Sequence, residues 1–398
     1  MNRPSKAKTI ALAIEHFSPH KGGAESYAVS LASTLARNGW TIHLFGLSWD
    51  GKPPTALFHR MKIPRFLPSW AKMLYFALKH KKMVEGQYFD VILGFGNTVC
   101  MNVYQSHGGV HRFSTIRKIH AETNKILRLI KRLLIFLSLK DKVRHWIESA
   151  PFRLNPTPTI IAISEMVRGD MASFYGINEE KIQLIYNGVD TEKYNVHTRE
   201  RMRGPIRQQL SISDAHIAFL FVSYDLKKKG IVPLIRATAE LKEAGVSNLR
   251  VLVVGEHPYR SVLRLVSRLG LKDIVLFMGP TTKPEEYYAN CDVFVLPTYY
   301  DACSLVAIEA MCCGLPVITT EFNGAAGIIS NGKEGYVLPH PPAHSELAQS
   351  MRTFTSQKRL DEMSRAASLT GEKYSIKNNH LKMMMEFDRL IESRHANQ

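Results

Sequence analysis

An alternation of short apolar runs and helical segments constrains the fold of this chain more than any other feature, and it begins twice. The first series has an apolar run at residues 8–14, helical spacing at 24–37 and a second apolar run at 41–47. The second series starts at residues 217–223 and keeps the same rhythm to residue 338. Strands separated by helices pair in parallel, and the helices cover the sheet. The sequence therefore predicts an α/β fold with two Rossmann-like domains and a ligand site at the carboxyl ends of the strands.

The boundary between the domains is placed where the composition changes. Residues 192–213 are polar and rich in Arg and Gln, which is typical of a connection between domains. A length of 398 residues also suggests two or three domains. We therefore expect an N-terminal domain at 1–190, a C-terminal domain at 191–372 and a final helical segment at 373–398.

The first apolar run and the cysteines both favour a cytoplasmic protein. The run is only about six residues long and no cleavage site follows it, so it is interpreted as a core strand and not as a signal peptide. The five cysteines lack the spacing of a metal site, and free thiols are typical of a reducing compartment.

A strong positive charge predicts an anionic partner. The formal net charge of +17 favours nucleic acid, a membrane surface or a phosphorylated substrate. An insertion at residues 112–145 interrupts the alternation and is rich in Lys and Arg. Within it, the segment ILRLIKRLLIFLSL has apolar residues at helical spacing. Basic residues flank this apolar stripe, among them Lys125, Arg128, Lys131 and Arg132.

This basic amphipathic helix suits the surface of an anionic membrane, and its apolar run is too short to span one. The alternative is an ordinary helix whose stripe packs on the sheet. Nucleic-acid binding is disfavoured because no helix-turn-helix or aromatic stacking motif accompanies the charge. We therefore expect a peripheral protein on the inner face of the membrane, without a nucleic-acid partner.

The segment DACSLVAIEAMCCG, residues 301–314, predicts an anion site. It has a turn that carries Asp301, a helix that opens near Ser304 and Glu309 in the second turn. Free backbone N–H groups and the helix dipole favour a phosphate at such a helix start, and the two carboxylates could hold hydroxyls beside it. A phosphate next to a polyol is a nucleotide-sugar. The alternative is that Asp301 and Ser304 only cap the helix and that Glu309 is solvated.

Three further candidates follow predicted strands. Gly22 and Gly23 lie between the first strand and the first helix, where glycine lets a ligand approach the backbone. Lys228 and Lys229 follow the first strand of the second series and could neutralise a departing diphosphate. His107 could bind a sugar hydroxyl near the reacting carbon. Each has a simpler alternative: an ordinary turn, a solvated basic loop and a structural histidine.

A metal site is not indicated. The sequence has no Asp-x-Asp carboxylate pair at the end of a strand, and no group of Asp, Glu and His has metal-ligand spacing. We expect no metal or other cofactor, so lysines and a helix dipole would neutralise the leaving group.

The order of these motifs resembles that of a known family. The motifs are Gly22-Gly23 with Glu25, His107, residues 187–190 (Asn-Gly-Val-Asp), Lys229-Gly230, the stretch from Asp301 through Glu309, and residues 314–317 (Gly-Leu-Pro-Val). Together they resemble the retaining GT-B glycosyltransferases of family 4 over nearly the whole chain. The resemblance is closest to the lipopolysaccharide core α-glucosyltransferases that act on heptose.

The resemblance implies a cleft between the two domains and a C-terminal helix that crosses back to the first domain after about Glu372. It also implies a nucleotide-sugar donor held by the C-terminal domain, with uridine as the expected base. The groups that would contact its diphosphate are Lys228, Lys229 and the backbone amides of Ser304, Leu305 and Val306.

The remaining roles are also carried over from the family. Glu309 would take the ribose hydroxyls, and Asp301 would hold hydroxyls of the transferred sugar. Gly22 and Gly23 would close over the donor. His107 would lie near the reacting sugar.

Two departures from the family pattern bear on the donor. The family has Glu where this chain has Asp301, and Asp is one methylene shorter. The family's Arg ahead of the Lys-Gly pair is absent, and Lys228 stands in for it.

The sequence therefore predicts a retaining, metal-independent hexosyltransferase. It would act from a nucleotide-sugar on a lipopolysaccharide-core or lipid-linked glycan at the membrane. Two alternatives remain: a nucleotide-sugar epimerase on the same fold, and a non-catalytic membrane-binding protein.

Overall fold

The structure, a computed structural model, describes residues 7–20, 22–51, 53, 55–122 and 124–396. These residues form two compact units. The first unit contains the chain up to Ile116, residues from Asn124 to Tyr186, and residues from Asn379 onward. The second unit contains a short segment that starts at Arg117 and the long stretch Asn187–Asn378.

Strands alternate with helices in the first unit. Its strands are β1 (Thr9–Ala13), β2 (His16–Phe17), β3 (Thr41–Gly46), β4 (Ser48–Trp49), β5 (Leu57–Arg60), β6 (Val91–Gly94), β7 (Val103–Ser106), β8 (Thr159–Ala162) and β9 (Ile182–Leu184). Its helices are α1 (Gly23–Arg37), α2 (Ser69–Val84), α3 (His111–Ile119, whose last turn belongs to the second unit), α4 (Lys125–Leu137), α5 (Leu139–Ser149) and α6 (Glu165–Tyr175). A parallel sheet has the order β5-β3-β1-β6-β7-β8-β9, and β2 pairs with β4.

The second unit repeats this plan. Its strands are β10 (Ile217–Ser223), β11 (Leu249–Gly255), β12 (Val275–Gly279), β13 (Val293–Leu296), β14 (Val317–Thr320) and β15 (Gly335–Leu338). Its helices are α7 (Val196–Met202), α8 (Pro205–Gln209), α9 (Ile231–Glu243), α10 (Arg260–Arg268), α11 (Pro284–Asn290), α12 (Leu305–Cys312), α13 (His344–Arg352), α14 (Gln357–Gly371) and the start of α15 (Ile376–Ala396). A parallel sheet has the order β12-β11-β10-β13-β14-β15.

The predicted pair of Rossmann-like sheets is confirmed. In both units the strand order reverses beside the first strand, between β1 and β6 and between β10 and β13. Doubly wound sheets bind ligands outside the carboxyl ends of the strands at this switch point. The topology therefore marks one ligand position in each unit.

Local sequence explains the elements that surround these positions. Every residue of β10 after Ile217 is buried, as expected for a parallel strand covered on both faces. Helix α6 follows Ser164, whose side chain caps the helix by accepting a hydrogen bond from the Val167 amide. The sequence did not identify β5 or α2, whose apolar spacing is weaker.

The polar stretch at residues 192–213 is a packed part of the second unit, where the sequence predicted a connection. It forms α7 and α8, and three of its arginines surround buried Asp292. The shortest N–O distances to that carboxylate are 3.8 Å from Arg199, 2.7 Å from Arg203 and 3.2 Å from Arg207. A buried carboxylate needs cationic partners of this kind. The sequence did not reveal these pairs, because Asp292 lies far from the three arginines along the chain.

The C-terminal helix α15 begins in the second unit and continues in the first, as the resemblance implied. In the first unit, the Asn379 amide nitrogen donates to the Tyr186 carbonyl oxygen at 2.7 Å. The Tyr27 hydroxyl donates to the Asn379 side-chain oxygen at 2.9 Å. Farther along the helix, the Phe387 ring lies 5.9 Å from the Trp40 ring.

The basic insertion forms α4 and α5, which are separated by Ser138. Helix α4 is described in full and buries none of its residues. Its apolar side chains are exposed, including Ile126 (71%), Leu129 (69%) and Phe136 (65%). The alternative in which this stripe packs on the sheet is therefore wrong. No helix in the described part of the chain is long and apolar enough to cross a membrane.

Candidate functional site

The loops that follow β10 and β13 are bound to each other at the switch point of the second sheet. The Lys228 carbonyl oxygen accepts hydrogen bonds from the Tyr299 amide at 2.9 Å and the Thr298 hydroxyl at 3.3 Å. Gly230 has φ of +87°, and a Cβ there would lie 2.0 Å from the Pro297 carbonyl oxygen. Glycine is therefore required where the two loops meet.

Asp301 and Lys229 form an ion pair at this junction. Their Oδ2 and Nζ atoms lie 2.5 Å apart, and each side chain is less than a quarter exposed. The Asp301 backbone is fixed on both sides, since its amide donates to the Phe322 carbonyl oxygen and its own carbonyl oxygen accepts from the Gly324 amide. The sequence predicted that both residues belong to the site but did not predict their contact.

The start of α12 presents backbone amides. Ser304 is the N-cap residue, yet its side chain does not cap the helix, and its buried Oγ has no partner in the described part of the chain. Its own amide donates to the Asn323 side-chain oxygen at 3.3 Å. Within the same described residues, neither the Leu305 amide nor the Val306 amide donates to an acceptor. These two N–H groups are the unpaired donors that a helix start offers to an anion.

Glu309 is partly buried and anchored. The hydroxyl of buried Tyr288, on α11, donates to Glu309 Oε2 at 2.8 Å and approaches the Val306 carbonyl oxygen at 3.2 Å. Burial raises the pKa of Glu309 to about 7, and the Tyr288 hydrogen bond and the charge of Lys193 oppose that rise. A solvated Glu309, the alternative allowed by the sequence, does not fit these contacts.

Each lysine of the DLKKKG loop has a carboxylate partner. Lys227 Nζ lies 3.0 Å from Glu122, and Lys228 Nζ lies 2.5 Å from Asp225. The Lys228 side chain is half exposed and that of Lys229 is more buried. Of the three lysines, only Lys229 contacts Asp301.

The segment that starts at Arg117 adds positive charge beside the same loops. The Arg117 guanidinium lies 3.8 Å from the centre of the Phe322 ring. The Lys118 ammonium lies 5.1 Å from the centre of the Tyr300 ring. The Phe322 carbonyl oxygen accepts a hydrogen bond from the Asp301 amide, and Tyr300 directly precedes Asp301. Both cations therefore lie near the site. The sequence assigned these basic residues to the insertion and not to this site.

In the first unit, Gly22 and Gly23 lie at the start of α1. Gly22 is the extended N-cap residue and Gly23 the first residue of the helix, and both are exposed. A Cβ at Gly22 would meet only the movable side chain of Glu25, at 2.6 Å. Packing within the unit therefore does not require glycine at Gly22. Its role in the approach of a ligand stays a prediction.

His107 follows β7 and is packed between aromatic rings. Its ring centre lies 4.7 Å from that of Tyr27 and 5.1 Å from that of Phe95. Its Nε2 atom is buried and has no hydrogen-bond partner among the described residues. Burial lowers the pKa of His107 to about 3, so the imidazole is neutral at physiological pH.

A cavity of about 480 Å³ lies at the switch point of the first sheet. The loops after β1 and β6 contribute part of its wall, with Glu15 from the first loop and Asn97 from the second. Helices supply its basic residues, Lys72 from α2 and Lys140 and Arg144 from α5. No single motif in the sequence marks this cavity, because its residues come from separate segments.

Two other residues of the second unit were missed. Tyr288 holds Glu309, and no pattern in its helix marks that contact. Asn323 binds the Ser304 and Ala325 amides and donates to Thr319. The Asn-Gly pair at 323–324 indicates a turn but not this contact.

The basic residues of α4 lie along an exposed helix. Lys125, Lys131 and Arg132 are exposed, and Arg128 is half-buried. Among the residues that the structure describes, no group of three or more His, Cys, Asp or Glu side chains is placed to hold a metal ion. All five cysteines are free thiols.

Two parallel, doubly wound sheets and a helix that returns to the first of them define a GT-B fold. Residues 21–193 match the family described as Glycosyltransferase Family 4, and residues 202–370 match Glycosyl transferases group 1. The chain belongs to this group 1/family 4 class of glycosyltransferases, a retaining family of enzymes.

Known relatives agree with this assignment. The chain is 25% identical over 343 residues to the lipopolysaccharide glucosyltransferase WaaG of Escherichia coli K12, covering 85% of this chain and 87% of the relative. The crystal structure of WaaG, a glycosyltransferase involved in lipopolysaccharide biosynthesis, is similar with a TM-score of 0.75 at 21% identity, over 94% of this chain and 98% of that one. HepE of Anabaena in complex with UDP-glucose is similar with a TM-score of 0.66 at 18% identity, over 96% and 99%.

Proposed function

We propose that the protein transfers a hexose, with retention of configuration, from a UDP-sugar to a lipopolysaccharide-core or lipid-linked glycan. The observation that carries this proposal is the group formed by Lys229, Asp301, Glu309 and the start of α12 at one switch point. It combines amide donors, a cation and two carboxylates, which are the groups that a diphosphate joined to two sugars requires.

The diphosphate would bind at the start of α12. The unpaired Leu305 and Val306 amides and the helix dipole favour phosphate there. Lys228 and Lys229 would exchange their carboxylate partners for phosphate oxygens as negative charge develops on the leaving group. The family is generally metal-independent, and this arrangement supplies the neutralising charge from the chain itself.

The nucleoside would be held through Glu309. The hydrogen bond from Tyr288 fixes one carboxylate oxygen and leaves the other available to a ribose hydroxyl. Uridine is supported by the similarity to HepE, which has been solved with UDP-glucose.

The transferred sugar would contact Asp301. Its carboxylate would accept hydrogen bonds from sugar hydroxyls, and the contact with Lys229 orients it before the donor binds. Asp reaches less far than the Glu of the family, so the sugar hydroxyls it selects can differ. In the reaction, the bond from the anomeric carbon to the diphosphate oxygen would break. The acceptor oxygen would bond to that carbon on the same face, and its proton would pass to the departing diphosphate.

The remaining predicted residues belong to the first unit. Gly22 and Gly23 would close over the donor. His107, as a neutral imidazole, would act by a hydrogen bond and not by charge. Its Nε2 atom is buried, so a hydrogen bond from that atom would require the side chains around it to shift.

The acceptor would be reached at a membrane surface. The exposed apolar stripe of α4 and its residues Lys125, Arg128, Lys131 and Arg132 suit an anionic lipid surface. The similarity to a lipopolysaccharide glucosyltransferase supports the acceptor class.

The test is donor binding and turnover with a panel of UDP-sugars. Glu309→Ala is expected to weaken UDP binding about tenfold to 100-fold, since hydrogen bonds to a charged group are lost. Calorimetry measures the affinity, and release of UDP measures turnover. Glu286→Ala, on α11 and half exposed, is the matched control. Unchanged UDP affinity in Glu309→Ala would remove the nucleoside role of Glu309.

A further inference from the structure

We propose that a cavity of the second unit, separate from the proposed donor site, binds the diphosphate group of a small soluble ligand. The cavity has a volume of about 450 Å³ and is lined by α9, α10 and the loops that follow β10 and β13. That volume is within the usual range of small-ligand pockets. Of the described residues that line it, none is proposed to bind the donor. The site is therefore an addition to the proposed transferase and does not depend on it.

Three arginines from two helices line this cavity. Arg264 and Arg268 are four residues apart on α10, so they are neighbours on one face of that helix. Arg236 lies on α9, one turn after Val232, which lines the same cavity. Helices α9 and α10 contact each other. The cavity wall thus receives guanidinium groups from each of two adjacent helices.

The same three arginines lack anionic partners within the described part of the chain. Each is exposed, and none forms an ion pair or a side-chain hydrogen bond with another described residue. Like charges four residues apart on a helix repel each other and destabilise the helix. A bound anion would remove the repulsion between Arg264 and Arg268.

The acidic groups around the cavity are held by other partners. Among the described residues that line it, Glu122 is the one acidic residue, and its Oε2 atom lies 3.0 Å from Lys227 Nζ. In the flanking loops, Asp225 contacts Lys228, and Glu256 accepts a hydrogen bond from the Leu226 amide at 3.1 Å. The charge of Lys227 is therefore offset by Glu122, whereas the charges of the three arginines are not offset.

A diphosphate matches this wall better than a single anionic group does. The planar guanidinium group binds phosphate oxygens through two parallel hydrogen bonds. Two linked phosphates can engage guanidinium groups of both helices at once, and their several negative charges balance several arginines.

Two soluble sources share this chemistry, namely inorganic diphosphate and a nucleoside diphosphate. The cavity has room for more than the diphosphate, and Tyr259 and Tyr299 also line it. Aromatic side chains provide faces on which a nucleobase can stack. The experiment therefore compares both sources.

The experiment measures binding to the full chain by calorimetry, without divalent ions and with saturating UDP-glucose present to fill the proposed donor site. The probes are sulfate, inorganic diphosphate and ADP. We expect at least one of the two diphosphates to bind at least tenfold more tightly than sulfate. Tighter binding of ADP assigns a nucleotide, and equal or tighter binding of inorganic diphosphate assigns the free anion. Equal affinity for all three probes, or no binding of any, would overturn the inference.

Variants locate the effect in the cavity. Arg236→Gln, Arg264→Gln and Arg268→Gln are each expected to weaken binding of the preferred probe about tenfold. The control is Arg352→Gln on α13, which removes the same charge from an exposed position of the same unit outside the cavity. All four side chains are exposed, so the Tm without ligand should not change. Equal losses of affinity in the control and the cavity variants would mean that net charge alone binds the anion.

The two proposals fail in different measurements. The cavity variants should leave UDP affinity and donor turnover unchanged, because their side chains are not among the groups proposed to bind the donor. UDP-glucose binding and turnover without a preference for diphosphate would contradict only the inference. A diphosphate preference that depends on the three arginines, in a protein that neither binds nor turns over any UDP-sugar, would contradict only the proposed function.

Discussion

Glu309 and Asp301 are both carboxylates of the proposed donor site, yet their surroundings differ. Asp301 contacts the ammonium group of Lys229 at 2.5 Å. Glu309 has a neutral hydroxyl partner, Tyr288, and burial raises its pKa to about 7. Its charge therefore changes within the physiological pH range, and the affinity for a ligand that it binds should change as well.

The first prediction concerns the pH dependence of donor affinity. The affinity for UDP-glucose should rise between pH 6 and pH 8, because the pKa of Glu309 is about 7. The ionised carboxylate accepts hydrogen bonds from the ribose hydroxyls more strongly than the protonated form does. UDP-glucose has no phosphate group that titrates in this range. Calorimetry at several pH values measures the effect. Glu309→Gln should remove the slope, and an unchanged slope in that variant would assign the titration to another group.

The second prediction concerns the length of the side chain at Asp301. Asp301→Glu should keep turnover within about tenfold and change the preferred sugar, because the carboxylate gains one methylene of reach. Initial rates with several UDP-sugars measure this, and Asp273→Glu at an exposed position is the control. Complete loss of turnover with all donors would show that Asp301 does not occupy the position of the family's Glu.

At the scale of elements, the proposed donor site depends on two loops that meet at a glycine. Gly230 and Gly245 both have left-handed backbones, with φ of +87° and +83°. A Cβ at Gly230 would lie 2.0 Å from the Pro297 carbonyl oxygen, whereas a Cβ at Gly245 would meet nothing within 4 Å. A comparison of alanine substitutions at these two glycines therefore separates the cost of backbone strain from the cost of a steric clash.

The third prediction uses this pair. Gly245→Ala should lower the free energy of unfolding by about 1 kcal/mol through backbone strain alone. Gly230→Ala should cost about 1–3 kcal/mol more, because the loops must separate, and it should also weaken UDP binding. Urea unfolding and calorimetry measure the two effects. Equal losses of stability would mean that the loop contact contributes nothing.

The fourth prediction concerns helix α4. Replacing Lys125, Arg128, Lys131 and Arg132 with Gln should weaken binding to anionic vesicles about 100-fold to 1000-fold at low salt, at about 1 kcal/mol per basic residue. Vesicle sedimentation measures the binding. The control replaces the same number of exposed basic residues elsewhere, at Arg264, Arg268, Lys272 and Lys358. Equal losses would indicate that net charge, and not this helix, determines membrane binding.

At the scale of the whole molecule, two doubly wound units are built from one chain that leaves the first unit and returns to it. Helix α15 makes the return, and Asn379 is the first of its residues in the first unit. Its side chain binds both the Tyr27 hydroxyl and the Tyr186 carbonyl oxygen. The last helix is thus tied to the first helix of the chain by a buried amide.

The fifth prediction tests this tie. Asn379→Ala should lower the free energy of unfolding by about 1–3 kcal/mol, because it leaves buried polar groups without partners. Asn378→Ala, at the exposed neighbouring position, is the control and should have little effect. Urea unfolding monitored by tryptophan fluorescence measures both. Equal stability of the two variants would show that α15 is held by its apolar contacts alone.

The sequence by itself determined the fold class, and it predicted most of the residues of the proposed donor site. Parallel sheets buried on both faces require continuous apolar runs, so β10 and its neighbours are visible in local sequence. The start of α12 is equally local, since a turn, a helix start and a carboxylate in the second turn are adjacent in the chain. Such features depend on residues within a few positions of one another.

The tertiary structure decided the contacts between distant residues. It paired Lys229 with Asp301, buried the Nε2 atom of His107, and exposed the apolar stripe of α4 that could have packed on the sheet. It also assembled the cavity that includes Lys72 and Arg144 from separate segments. Local periodicity carries no information about which distant groups meet. Burial, pKa shifts and ion pairs arise only where the folded chain brings those groups together.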